Sequence, residues 1–257
     1  MLAVSAKRGI YVAPFDELVD PKVLAALAAS AEEHGWNGFF VWDHVRYRPP
    51  VRAVADPWVA LAAVASDTER IRLGPLVTPL SRRRVHKLAR ETVTLDLLSR
   101  GRLTLGVGLG SDHSDELEPF GEAVDPRERA RLLDEGLDRL NAYWNGEFEP
   151  RPTQSPRIPV WVGARWPSRR PLRRAARWDG LFPIELPNPQ ALTELSEEVR
   201  SLRAEAGREG PYDLVVDLRA GSPIDPWEEA GATWILTGFG HQPREREVRE
   251  TIEAGPR

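Results

Sequence analysis

The chain has 257 residues, the length of one (β/α) barrel or of two smaller domains, and its 41% hydrophobic and 29% charged content is that of an ordinary folded protein. A formal net charge of −4 argues against nucleic acid or an anionic membrane as the main partner, because both need a basic face. Cysteine is absent, which excludes disulfides, thiolate metal ligands and a cysteine nucleophile.

In chain order, the first strand signal is GIYVAPF (9–15). Asp20-Pro21 then opens a helix, with an N-cap acid and a proline in the first turn. Leu24, Leu27, Ala28 and Ala31 share its apolar face, and Gly35 supplies the stop. A second strand, GFFVWDH (38–44), runs straight into Asp43 and His44. Asp56-Pro57 repeats the helix start, and IRLGPLVT (71–78) is a third strand, followed by a helix over 82–99. RLTLGVGLG (102–110) is the fourth strand. Asp125-Pro126 opens the next helix, with Glu128 in capping-box position and Leu133, Leu137, Leu140 and Trp144 along one face. A Pro-rich connector over 145–159 is too short to separate domains. IPVWVGA (158–164), DGLFPI (179–184), YDLVVDL (212–218) and TWILTGF (233–239) complete the strands. Helices are expected over 167–178, 187–207 and 243–254, with a further Asp-Pro start at 225.

Most of these strands are short and almost wholly apolar, as parallel strands covered on both sides must be. Eight of them alternating with helices predict an α/β fold, a (β/α)8 TIM barrel in one domain over 1–257. A doubly wound open sheet is the alternative. No run approaches the roughly 18–20 apolar residues of a membrane helix, and Lys7 and Arg8 interrupt the N-terminal segment before a signal-type apolar region can form. The expectation is a cytoplasmic protein with neither membrane nor nucleic acid as partner.

In such a barrel the working residues lie at strand C-termini. Asp43-His44 stands at one, and histidine is the side chain best suited to exchange protons near neutral pH. The competing reading is a capping aspartate beside a loop histidine. In GVGLGS, Gly106, Gly108 and Gly110 fall on one strand face. Glycines there suggest close approach by a flat, bulky group, or else tight internal packing. GARWPSRR (163–170) gathers Arg165, Arg169 and Arg170 at an expected helix start, a plausible phosphate seat or a solvated arginine surface. In TPLSRRR (78–84), Thr78 is placed to touch a ligand while the arginines are expected to face solvent. His34 ends a helix and His86 lies on a helix surface. His44, His113 and His241 fall at strand C-termini, but their spacing matches no metal motif, and no metal site is assigned.

Taken in order, VWDHV, the stretch ADPWVALAAVASDTERIRLGPLVTPLSRRRVHKLARETVTLDLLSRGRLTLGVGLG, FG at 120–121, LLDEGLDRL and PRIPVWVGARWPSRRPLRRAARWDGLFP resemble the bacterial luciferase-like flavin-dependent oxidoreductases, which include deazaflavin-dependent reductases. The resemblance covers about residues 9 to 184. It implies a (β/α)8 barrel with reduced FMN or the deazaflavin coenzyme F-420 across its mouth, transferring hydride to a small organic substrate or oxygenating it, in a homodimer. It further implies His44 as the catalytic proton donor or acceptor and Asp43 as a cofactor contact. Pro75-Leu76 would be a bulged, often cis, peptide behind the ring, and Thr78 would bond the ring edge. Gly106, Gly108, Gly110 and Ser111 would line the ring and its chain, and Gly163, Ala164 and Arg165 would hold the phosphate end. Two connections, 145–159 and 219–232, look short for the family, so the mouth is expected to be trimmed. The competing functions are a metal-dependent hydrolase using His44, His113 and His241, and a non-catalytic flavin-binding protein.

Overall fold

The computed structural model describes residues 5–256. Strands β1 (Lys7–Val12), β2 (Gly38–Val41), β3 (Arg72–Pro75), β4 (Thr78–Pro79), β5 (Leu105–Gly108), β6 (Val160–Arg165), β7 (Gly180–Ile184), β8 (Asp213–Arg219) and β9 (Trp234–Gly238) pair in parallel in the order β3-β2-β1-β9-β8-β7-β6-β5-β4. Leu73 closes the ring by accepting from Thr104 N and donating to Arg102 O at the approach to β5. Segments β3 and β4 are therefore two halves of one strand, and the architecture is the expected eight-stranded (β/α) barrel. Helices α1 (Pro21–Glu33), α2 (Pro57–Asp67), α3 (Val85–Leu98), α4 (Pro126–Ala142), α5 (Leu172–Ala175), α6 (Pro189–Glu205), α7 (Asp225–Glu229) and α8 (Glu245–Glu253) follow the strands.

The Asp-Pro signals act as the sequence suggests at three places. The carboxylates of Asp20, Asp56 and Asp125 accept from the first free N–H groups of α1, α2 and α4, satisfying donors that the helix itself leaves open. Two expectations fail. Asp225 lies inside α7 and makes no cap. The helix expected over 167–178 shrinks to the single turn α5, because Pro167 and Pro171 lack the N–H groups a longer helix would need.

Strand alternation sorts the apolar residues into two layers. Tyr11, Phe40, Leu76, Trp161, Phe182, Val215, Trp234 and Leu236 fill the barrel interior, with the rings of Phe40, Trp161 and Trp234 5.2–5.8 Å apart. Their neighbours Val12, Phe39, Val41, Val107 and Val162 point outward and pack under the helices. This two-faced ordering decides what each residue at the C-terminal rim can reach.

Candidate active site

Along β2 and its extension, Phe40, Trp42 and His44 lie on the inner face, and Phe39, Val41 and Asp43 on the outer. His44 turns its Nδ1 to Glu116 Oε2 at 2.6 Å. The other Glu116 oxygen accepts from Val45 N and Arg82 Nη1, each at 2.9 Å. Burial works to raise the Glu116 pKa, but the His44 hydrogen bond and the charges of His44 and Arg82 outweigh it and hold the carboxyl below its usual range. An ionised carboxylate only accepts. His44 Nδ1 therefore carries a proton and the imidazole is fixed in orientation, with Nε2 as its second site for proton exchange. The side chain of His44 is 26% exposed and that of Glu116 is 3% exposed. Glu116 lies in the GVGLGSDHSDE segment at a strand end, but nothing in the sequence says which rim acid meets His44.

Asp43 takes the opposite course. Its outward carboxylate is sealed in, accepting from Thr78 Oγ1 at 2.7 Å, Arg82 Nη2 at 2.7 Å and Arg83 Nη2 at 2.8 Å. Burial pushes its pKa up, but Arg83, Arg82 and the Thr78 hydroxyl overcome that and leave it lowered. Both Asp43 and Thr78 were expected to touch the cofactor; both are buried and spend their polar atoms on each other and on the arginines. Arg82 and Arg83 were expected in solvent, yet their side chains are only 4% and 17% exposed. The reason is charge: a buried carboxylate needs cations, and these are the ones the fold delivers.

The bulge also shifts by one residue. The cis peptide joins Leu76 to Val77, not Pro75 to Leu76. Leu76 N still donates to Val41 O, so Pro75 and Leu76 continue the ladder, and both are buried. Val77, half-buried, is the residue that reaches the mouth. Tyr11 on β1 donates its hydroxyl to Leu76 O at 2.7 Å. Burial first, then the charge of Asp217, drives the Tyr11 pKa well above the usual phenol value, so it stays a donor that pins the bulge.

This bulge occupies the glycine face of β5. A Cβ on Gly106 would stand 2.3 Å from Leu76 Cδ2 and 2.4 Å from Pro75 O, and one on Gly108 2.7 Å from Val77 Cγ2. Gly110 gives way in the same manner to Pro79, at 2.8 Å. The glycines admit the protein's own third strand, which is the packing alternative rather than direct lining of a ring. Ser111 Oγ accepts from His113 N and so belongs to its own loop. On β6, Gly163 faces the interior beside Val77, Ala164 is buried under the helices, and Arg165 pairs with Glu185. Arg169 is held by Glu194 and Glu198. The arginine turn is thus largely neutralised from within.

What faces the mouth is an apolar floor of Trp42, Val77 and Ile184 over the interior cluster, His44 on one wall and Asp217 on another. Asp217 follows Val215 on the inner face of β8 and is open to solvent. Desolvation of its carboxyl, with the charge of Glu185 adding to it, raises its pKa to about 6. Trp42 Nε1 is buried with no hydrogen-bond partner. Tyr11, Trp42, Tyr47 and Asp217 were not singled out from sequence; a check of inner-face positions on β1 and β8 finds Tyr11 and Asp217.

The family model described as luciferase-like monooxygenase matches residues 6–250. The chain belongs to that family. An uncharacterized protein of Mycobacterium tuberculosis is 33% identical over 251 residues, covering 84% of this chain and 86% of that protein. The phthiodiolone/phenolphthiodiolone dimycocerosates ketoreductase of the same species is 32% identical over 218 residues, covering 70% of this chain and 56% of the ketoreductase. Among solved structures, a coenzyme F-420-dependent tetrahydromethanopterin reductase from Methanopyrus kandleri superimposes with TM-score 0.76 at 19% identity, over 97% of this chain and 98% of that one. The oxygenating constituent of 3,6-diketocamphane monooxygenase from Pseudomonas putida, in complex with FMN, gives 0.71 at 17% identity, over 84% and 67%. The family match does not favour the metal-hydrolase alternative; among the described residues no group of three or more His, Asp or Glu side chains is placed to hold a metal ion.

Proposed function

We propose that this luciferase-like protein is an oxidoreductase that binds reduced FMN or coenzyme F-420 at the barrel mouth and transfers hydride to, or oxygenates, a small organic substrate. The observation that carries the reading is the His44–Glu116 pair, 2.6 Å apart, standing beside an apolar floor at the C-terminal rim. The floor of Trp42, Val77 and Ile184 fits one face of a flat ring. Structural relatives named for coenzyme F-420 and for FMN chemistry support both cofactors, and the ketoreductase relative supports hydride transfer to a carbonyl.

The cofactor, when bound, supplies the hydride chemistry; the chain supplies position and protons. Glu116 keeps the His44 ring oriented, so that Nε2 gives a proton to, or takes one from, the substrate oxygen. Arg82 ties Glu116 to Asp43, so the acid behind His44 rests on a rigid buried network. Gly163 and Arg165 at the end of β6 are retained as the proposed phosphate seat, with Glu185 exchanged for the phosphate. The reading includes a homodimer, which the exposed apolar side chains Val59, Leu97 and Leu98 at α2 and α3 support. The reading also includes a cytoplasmic location. Among the described residues no helix is long and apolar enough to cross a membrane.

Titration with FMN and with coenzyme F-420, each oxidised and reduced, tests the proposal. At least one form binds with Kd below about 100 μM, an affinity of about −5.5 kcal/mol; binding by neither overturns it. His44→Ala is expected to keep the cofactor and lose about 10²–10⁴-fold in turnover. Unchanged turnover in that variant would instead favour a role without acid–base chemistry at His44.

A further inference from the structure

Beyond His44 the loop after β2 folds over a second concavity of about 370 Å³, lined by Arg46, Tyr47, Arg48, Arg52, His113 and Asp115 among others. Its charge is unbalanced. Arg46, Arg48 and Arg52 pair with no carboxylate among the described residues, unlike Arg82 and Arg83, which pair with Asp43. Asp115 is the lone acid in the lining, against three arginines. Of the carboxylates nearby, Asp43 and Glu116 are taken up by Arg82, Arg83 and His44, and Asp16 accepts from the loop backbone at Arg52 N and Ala53 N.

The concavity is also preformed. Asp16 Oδ1 accepts from Arg52 N and Ala53 N at 3.0 Å each. Ala55 N donates to Pro14 O, and Phe15, Val51 and Ala13 form a small buried cluster with Trp42 and Tyr47 against it. The arginine-bearing loop is thereby tied to the end of β1. Tyr47 joins the concavity to the active site, its ring 5.0 Å from His44 and 5.6 Å from His241. Strand β2 stands well round the barrel from β6, so this basic wall is distinct from the phosphate seat proposed at Gly163 and Arg165.

We infer that this is an oxyanion-binding pocket for the substrate: it takes a phosphate or carboxylate terminus of a molecule whose reacting carbon lies at His44. Guanidinium groups bind such termini bidentately and hold them in a fixed orientation. A volume of about 370 Å³ falls at the small end of ligand sites, enough for a charged terminus and a few carbons. The assignment of the bound molecule as substrate rests on the proposed oxidoreductase function; the anion site itself does not.

The test uses inorganic pyrophosphate and citrate as phosphate and carboxylate probes, measured by calorimetry at low salt on the wild-type chain and on Arg46→Gln/Arg48→Gln/Arg52→Gln, each with and without bound FMN or coenzyme F-420. The expected result is binding of at least one probe with Kd below about 1 mM, weakened roughly tenfold or more in the triple variant, and unchanged within twofold by bound cofactor. On the wild-type chain, the same probe slows phenylglyoxal modification of these three arginines, mapped by mass spectrometry; this readout needs no variant to fold. Absence of binding, equal binding by the triple variant, or no protection overturns the pocket. If the cofactor displaces the probe, the arginines hold a cofactor tail and the substrate assignment falls. If neither cofactor binds while the probe still does, the oxidoreductase reading fails and the anion site stands.

Discussion

Two aspartates stand at strand ends on the same rim and behave as opposites. Asp43 points outward from β2 into a nest of Thr78, Arg82 and Arg83, and its pKa is lowered. Asp217 points inward from β8, meets no cation among the described residues, and has its pKa raised to about 6. The residue type is the same, and the strand face differs. At this rim the outer face builds and the inner face works: a carboxylate sealed beneath the helices must be paired to exist as an ion, whereas one facing the mouth can remain unpaired for a ligand to meet.

The largest expected effect comes from breaking the outer nest. Asp43→Ala leaves Arg82 and Arg83 facing each other in a buried site and should cost about 3–5 kcal/mol, read as a drop in the urea midpoint at constant slope. A loss under 1 kcal/mol would mean that the network is slack. Thr78→Val keeps the shape and removes one hydrogen bond to the carboxylate, for a loss of about 1.5–3 kcal/mol; a change only in cofactor affinity would return Thr78 to the ring.

Acid should dissect the same nest. The Asp43 and Glu116 pKa values are lower folded than unfolded, so their contribution is complete above the unfolded values, about 4. It is lost as pH falls through the folded values. Stability of Asp43→Ala should therefore depend less on pH below about 4 than that of the wild type.

The smallest effect has the opposite sign. The raised pKa of Asp217 means that the native state binds more protons between about pH 4 and about pH 6, so stability falls as pH rises through that window. Asp217→Asn should raise the melting temperature at pH 8 and leave it nearly unchanged at about pH 3, where the wild-type group is mostly neutral in both states. A stability loss at pH 8 would show that Asp217 is structurally paired after all.

The barrel was legible because its signals are local. Parallel strands read as unbroken apolar runs, and Asp20, Asp56 and Asp125 announce helix starts within three residues. His44 was legible as a rim histidine. Its support was not: Glu116 lies 72 residues away in sequence and the arginines of Asp43 lie 39 and 40 away, and no local pattern encodes which charges a barrel brings together. The glycines of β5 were placed on the correct face, but what fills that face depends on the break in the third strand between Leu76 and Val77. One available rule, strand alternation carried past the end of β2, separates Asp43 from His44.

A crystal structure of the complex with the tighter-binding cofactor tests the central claim most directly. The account predicts a ring seated against Trp42, Val77 and Ile184, with His44 Nε2 able to come within about 2.6–3.2 Å of the reacting atoms and Asp43 still paired with Arg82 and Arg83. A ring bound away from His44, or Asp43 released from its arginines to contact it, would contradict the division of the rim into a structural outer face and a chemical inner one.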